Sequence, residues 1–240
     1  ITITDDDAKY NHEGAIRLIT RLIFVWFLKQ RGLIPWQFFD EDYIRENLLD
    51  NFNPNAKVDL FYKAVDSKYY KAILQNLFFA MLNCPICKEG SKEINQRRFS
   101  KADPSDRDNN KLMRYKSLFK NPDLFLQLAN QRVPFLNGGL FDCLDDKKHK
   151  LYYDGFSDSN ESQKQLRVPD YLFFGENVGK NIDLSEFYGD TNKKKVSARG
   201  IIDILKRYNF TVEENMPFDK DVSLDPELLG KVFENLLASY

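Results

Sequence analysis

Between Asn11 and Gly32 the chain carries a pattern that leaves little freedom in how it folds. Ala15, Ile19, Leu22, Ile23 and Trp26 recur at helical spacing, and Phe24, Val25, Phe27 and Leu28 make the second half apolar on nearly every side. A helix apolar all round has no face to give to water, so it must run through a core. Lys29 and Arg31 place positive charge on its last turn, Gly32 supplies a stop, and Pro35 follows. The apolar run from Ile16 to Leu28 is interrupted by Arg17, Thr20 and Arg21 and is shorter than the ~20 residues a membrane span needs. It also lacks the small-residue cleavage site of a signal peptide. The expectation is a cytoplasmic chain with no membrane partner.

Further helices are predicted at Asp42 to Leu49, at Asp59 to Tyr70, and at Lys71 to Asn83, where Ile73, Leu74, Leu77, Phe78 and Met81 share one face. Pro85 ends the last of these, because a proline pushes the preceding residue out of the helical region. From Cys84 to Asn110 apolar residues are few and charges many, which reads as an exposed excursion. Asn121-Pro122-Asp123 has the cap, the first-turn proline and the acid of a helix start, and Leu124 to Gln131 follows.

After Pro134 the segments at 135–141, 152–156 and 168–175 are aromatic and punctuated by glycine, the style of short strands or packed loops. Ser197 to Tyr208 returns to helix, Asn209 to Val212 reads as a strand, and Asp225-Pro226 opens a final helix with Leu229, Val232, Phe233 and Leu236 inward. The fold class expected is mainly α with short β segments (α+β), an irregular helical bundle with small strands or packed loops in its second half. The division expected is a helical subdomain 1–131, an aromatic segment 132–196, and a helix-strand-helix unit 197–240. The first residue is isoleucine and the last helical pattern carries no stop signal, so the chain is expected to be a piece of a longer protein continuing beyond Tyr240.

Composition narrows the function classes. Among the 240 residues, 42% are hydrophobic and 30% charged, which excludes a disordered tail. A formal net charge of -1 predicts no global attraction to nucleic acid, so contact with DNA would come from local patches. Three cysteines make no disulfide framework.

Candidate chemistry is present only in fragments. Cys84 and Cys87 have the spacing of half a zinc knuckle, and only Cys143 and His149 could complete it, at an unfamiliar spacing. Pro122-Asp123 with Asp145-Asp146-Lys147 has the letters of a metal-dependent nuclease, but Asp123 falls at a helix start; Pro169-Asp170 has no downstream partner. Asn137-Gly138-Gly139 and Gly175 to Gly179 lack the spacing of a phosphate loop. His12 and His149, the two histidines, have no nucleophile elbow to serve.

Three basic groups remain: Arg97, Arg98, Lys101 and Arg107; Lys111, Arg114, Lys116 and Lys120; and Lys193, Lys194, Lys195 and Arg199. The first and third are the candidates for DNA phosphate contact, against the alternative of ordinary solvated faces. No catalytic or cofactor-binding residue is assigned.

Several stretches carry a resemblance. They are Arg21 to Leu28 with Gly32, Leu77 to Asn83, Arg98-Phe99, Val133 to Phe141, Val168-Pro169-Asp170 and Phe173-Phe174-Gly175, then Tyr208 to Asn215 and Leu224 to Leu236. Together they resemble the helical region that precedes the methyltransferase core in type IIG-like restriction-modification enzymes, where an adenine-N6 DNA methyltransferase is fused to other domains. The resemblance implies a non-catalytic connector or scaffold, DNA as a partner through the parent, and an intramolecular methyltransferase domain after Tyr240. It implies S-adenosylmethionine for the parent and Mg2+ if the parent also cuts DNA. The family's Asn-Pro-Pro-Tyr-like loop, which grips a flipped adenine, is not matched by Asn53-Pro54 or Asn121-Pro122. Two alternatives stay open, a self-contained metal-dependent nuclease and a protein-interaction module.

Overall fold

The computed structural model describes residues 5–54, 67–86, 97–101, 106, 109–136, 139–157, 166–174, 181–182, 196–197 and 200–207. The strand expected at Asn209 to Val212, the helix from Asp225, and most of the helix from Asp59 lie outside these residues.

Helix α1 (Asp5–Gln30) is the long helix that the apolar run predicts; Leu22, Val25, Trp26 and Leu28 are buried, whereas Ile19 is 44% exposed. It ends in a Schellman arrangement: Leu33 donates to the Leu28 carbonyl at 3.0 Å and Gly32 to that of Lys29 at 2.9 Å. Gly32 adopts φ +70°, the left-handed conformation that favours glycine. A 3-10 turn (Trp36–Phe39) leads into α2 (Glu41–Tyr43) and a π-wound turn (Ile44–Leu48), so the helix expected from Asp42 is irregular. The Asp40 side chain caps α2 by accepting the Tyr43 amide at 2.8 Å.

The next helix is a π-helix (Tyr69–Leu82), in which every residue except Lys71 is buried. Its one-faced sequence pattern predicts amphipathicity, and the structure differs. Gln75 and Asn76 are buried and bonded to distant groups: Gln75 Nε2 donates to the Asp154 carbonyl at 2.6 Å, and Asn76 exchanges two hydrogen bonds with the Arg114 backbone. Tyr69 and Tyr70 also belong to this helix rather than to a preceding one.

Helix α3 (Pro122–Arg132) begins as its sequence dictates, with Asn121 Oδ1 accepting the Leu124 amide at 3.0 Å. Helix α4 (Ile201–Lys206) is short, and β1 (Asn181–Ile182) pairs antiparallel with β2 (Val196–Ser197). The described chain is therefore mostly helical. Around Phe141, Phe156 and Phe173 the aromatic segments run as packed loops and 3-10 turns, including Gly139–Phe141 and Asp170–Leu172.

Those loops supply core. Phe141 packs on Phe78, Phe156 on Phe79, and Phe173 and Phe174 on Tyr69, with ring centroids 4.7–5.8 Å apart. They join Leu22, Trp26, Phe38, Phe125 and Ile202 in one buried cluster. Gly200 lets α4 approach this cluster, since a Cβ there would stand 2.4 Å from the Phe173 carbonyl oxygen.

Candidate functional site

The stretch predicted as an exposed excursion returns to the core at Arg97, which is 1% exposed. Arg97 Nε donates to the Cys84 carbonyl at 2.9 Å, Nη1 to Val133 at 2.8 Å, and Nη2 to Met81 at 2.7 Å and Pro134 at 3.1 Å. One guanidinium thus ties the C-terminal end of the π-helix to that of α3, where unsatisfied carbonyls concentrate negative potential. Burial pushes its pKa down to about 10, which leaves it a cation at neutral pH. Arg97, a sequence candidate for DNA phosphate contact, thus has its charge enclosed and donors directed to the backbone.

Arg98 forms a two-pronged pair with Asp106, Nη1 to Oδ2 at 2.8 Å and Nη2 to Oδ1 at 2.7 Å, and Asp106 also accepts the Lys101 amide. Of the first basic group, Lys101 is exposed and Arg98, paired with Asp106, keeps its side chain 36% exposed; Arg107, Lys193, Lys194, Lys195 and Arg199 lie outside the described residues. In the second group, Arg114 is buried, with Nε donating to Phe156 and its guanidinium over the Phe156 ring. Lys111, Lys116 and Lys120 are exposed, and Lys120 Nζ donates to the carbonyls of Arg45 and Glu46.

Cys84 is fully buried, and Cys87 lies outside the described residues. Cys143 is half-buried, and burial followed by the nearby Asp145 charge pushes its thiol well above the usual range. Among the described residues no three His, Cys, Asp or Glu side chains are grouped to hold a metal ion.

Asp145, Asp146 and Asp170, which carry nuclease letters, accept backbone amides. Asp145 Oδ1 accepts the amides of Asp154 and Gly155, and Oδ2 those of Phe156 and Ser157, all within 2.7–2.9 Å. Asp170 caps the π-helix through the amides of Lys68 and Tyr69. Asp123 is exposed in the first turn of α3. His12 is exposed on α1, and His149 Nδ1 lies 2.6 Å from Asp146 Oδ2.

A half-open cavity of about 370 Å3 lies beside α1, lined by Leu18, Ile19, Leu166, Leu172 and Ile201, with Arg21 and Asp154 among its polar groups. Arg21 Nη1 donates to Asp154 Oδ1 at 2.6 Å, Nε to the Leu140 carbonyl and Nη2 to that of Asp142, and the guanidinium lies over Phe79. Asp154 Oδ2 accepts the Leu144 amide. The cavity's charges are thus neutralised and hydrogen-bonded within the protein.

From Asp146 to Leu151 the chain forms a tight turn closed by reciprocal hydrogen bonds of 2.7 and 2.9 Å. Its tip is Lys147-Lys148-His149-Lys150, with the last three exposed. This run is contiguous in the sequence and belongs to none of the three basic groups; Lys147 also completes the Asp145-Asp146-Lys147 nuclease letters.

No helix among the described residues is long and apolar enough to cross a membrane. No family model matches the chain, and no solved structure matches it. It is 26% identical over 226 residues to a Methanocaldococcus jannaschii protein provisionally named as a type II restriction enzyme and methyltransferase. The match takes in 93% of this chain but only 12% of the relative's length. That similarity associates the chain with restriction-modification.

Proposed function

We propose that this chain is a helical connector within a restriction-modification enzyme, supporting a methyltransferase core and touching DNA phosphates without performing the chemistry. The observation that carries the reading is the similarity of nearly the whole chain to a short stretch of a much longer restriction enzyme and methyltransferase. The employment of Asp145, Asp170, Arg21 and Arg97 in holding backbone and core is consistent with a supporting role.

In this reading the parent is an adenine-specific methyltransferase in the cytoplasm whose core lies beyond Tyr240 and binds S-adenosylmethionine, with Mg2+ serving any cleavage. Phosphate contact falls to surface cations: Lys101 among the described residues, and Arg107, Lys193, Lys194, Lys195 and Arg199 as sequence candidates.

The chain incubated with duplex DNA, Mg2+ and S-adenosylmethionine tests this. Retention of DNA with neither methyl transfer nor strand cleavage is expected. Cleavage with bound divalent metal would overturn the connector in favour of a nuclease, and failure to retain any DNA would favour a protein-interaction module.

A further inference from the structure

We infer that the tight turn at 146–151 is a preformed contact for the phosphate backbone of duplex DNA, made by Lys148 and Lys150 with His149 between them. The inference rests on the connector reading, which supplies DNA as the partner, and it names a surface that the three basic sequence groups do not contain. Three features of the turn carry it.

The first is the direction of the charges. Residues 142–154 contain four aspartates, and each directs its carboxylate to a partner within the protein. Asp142 accepts from Asn83, Asp145 from four amides, Asp154 from Arg21 and the Leu144 amide, and Asp146 from the amide of His149 while facing its ring. Lys148 and Lys150 are exposed on the same turn as the Asp146–His149 pair, whose side chains are 42% and 63% exposed.

The second is rigidity. Asp145 fixes the base of the turn against 154–157, whose Phe156 is in the core. The backbone pair between Asp146 and Leu151 closes it, and Lys150 at φ +56° makes the reversal. A cation held on an ordered turn loses less backbone freedom on binding than one on an unstructured segment.

The third is chemistry. Lysine is a flexible point charge with no fork for reading a base edge, so the element would fix position on a duplex rather than sequence.

The test is the affinity of the 240-residue chain for a duplex, measured by fluorescence anisotropy across a salt series, in wild type, Lys148→Ala/Lys150→Ala and Lys148→Arg/Lys150→Arg. A control, Arg31→Ala/Lys206→Ala, removes the same charge from exposed positions on α1's end and α4. Each lysine on a phosphate contributes about 0.9 to the salt slope, so the alanine pair should lower the slope by about 2 and weaken binding by on the order of tenfold per lysine at about 0.1 M salt. The arginine pair should bind as wild type does, and the control should lose far less than the alanine pair.

Wild-type binding with an alanine pair indistinguishable from it, or from the control, would overturn the turn as the contact and leave the connector reading standing. Wild type that binds no duplex would overturn both. Equal binding to a polyglutamate competitor would overturn DNA as the occupant in favour of an acidic protein.

Discussion

Asp170 Oδ1 accepts the backbone amide of Tyr69 at 2.9 Å, across 101 positions of sequence, so the start of the buried π-helix is held by a carboxylate from another part of the chain. Its other oxygen takes the Lys68 amide at 3.2 Å. The negative charge also faces the positive end of the helix. Asp170→Ala should cost about 1–3 kcal/mol, because the Tyr69 donor is left buried without this acceptor. Asp170→Asn, which keeps one oxygen, should cost less. Urea unfolding reads both, and equal stability of Asp170→Ala and wild type would contradict the capping role.

Arg97 makes the opposite kind of cap, four carbonyl contacts at two helix ends. Arg97→Ala should destabilise by about 3 kcal/mol or more, since buried carbonyls lose charge-assisted donors. Arg97→Lys keeps the charge but not the fork and should recover only part of it. A thermal midpoint for Arg97→Lys equal to wild type would show that charge alone suffices.

Two glycines should respond with opposite signs. Gly200→Ala places a Cβ 2.4–2.6 Å from the backbone of Phe173 and Phe174, so α4 must move off the core. A loss of about 2 kcal/mol or more follows from overpacking against unyielding atoms. Gly14→Ala lies in α1 with its nearest neighbour, Arg17 Nη2, at 3.9 Å, and should stabilise by about 0.5–1 kcal/mol. Chemical denaturation of the two variants side by side checks the contrast.

Acid should act through Asp106. The Arg98 guanidinium, and after it the Lys101 amide, hold its carboxyl well below the usual carboxylate range. Its folded pKa therefore lies below the unfolded value of about 3.9. The stabilisation is present above that value and is lost as pH falls through the folded pKa. Asp106→Asn should be less stable than wild type at neutral pH and show a flatter acid limb of the stability curve. Parallel acid limbs in the two proteins would contradict it.

The helices most legible in the sequence are those whose signals are local. α1 is written in its apolar run and its Gly32 stop, and α3 in Asn121-Pro122-Asp123. Gln75 and Asn76 look like a solvent face because their partners lie 79 and 38 positions away. Arg97 reads as surface charge for the same reason, since the carbonyls it gathers come from elements that converge only on folding. Asp145 and Asp170 carry nuclease letters, while their acceptor roles depend on loops that a linear pattern does not place together. The basic turn at 146–151 was readable as a run of charge, but not its ordered base.

The proposed connector would hold DNA by its phosphates and read no sequence. Anisotropy of the wild-type chain with two duplexes of unrelated sequence, across a salt series, tests it most directly. Equal affinities that fall linearly and steeply in log K against log salt, with a slope of several units, are expected. Strong preference for one duplex, or a flat salt response, would contradict it.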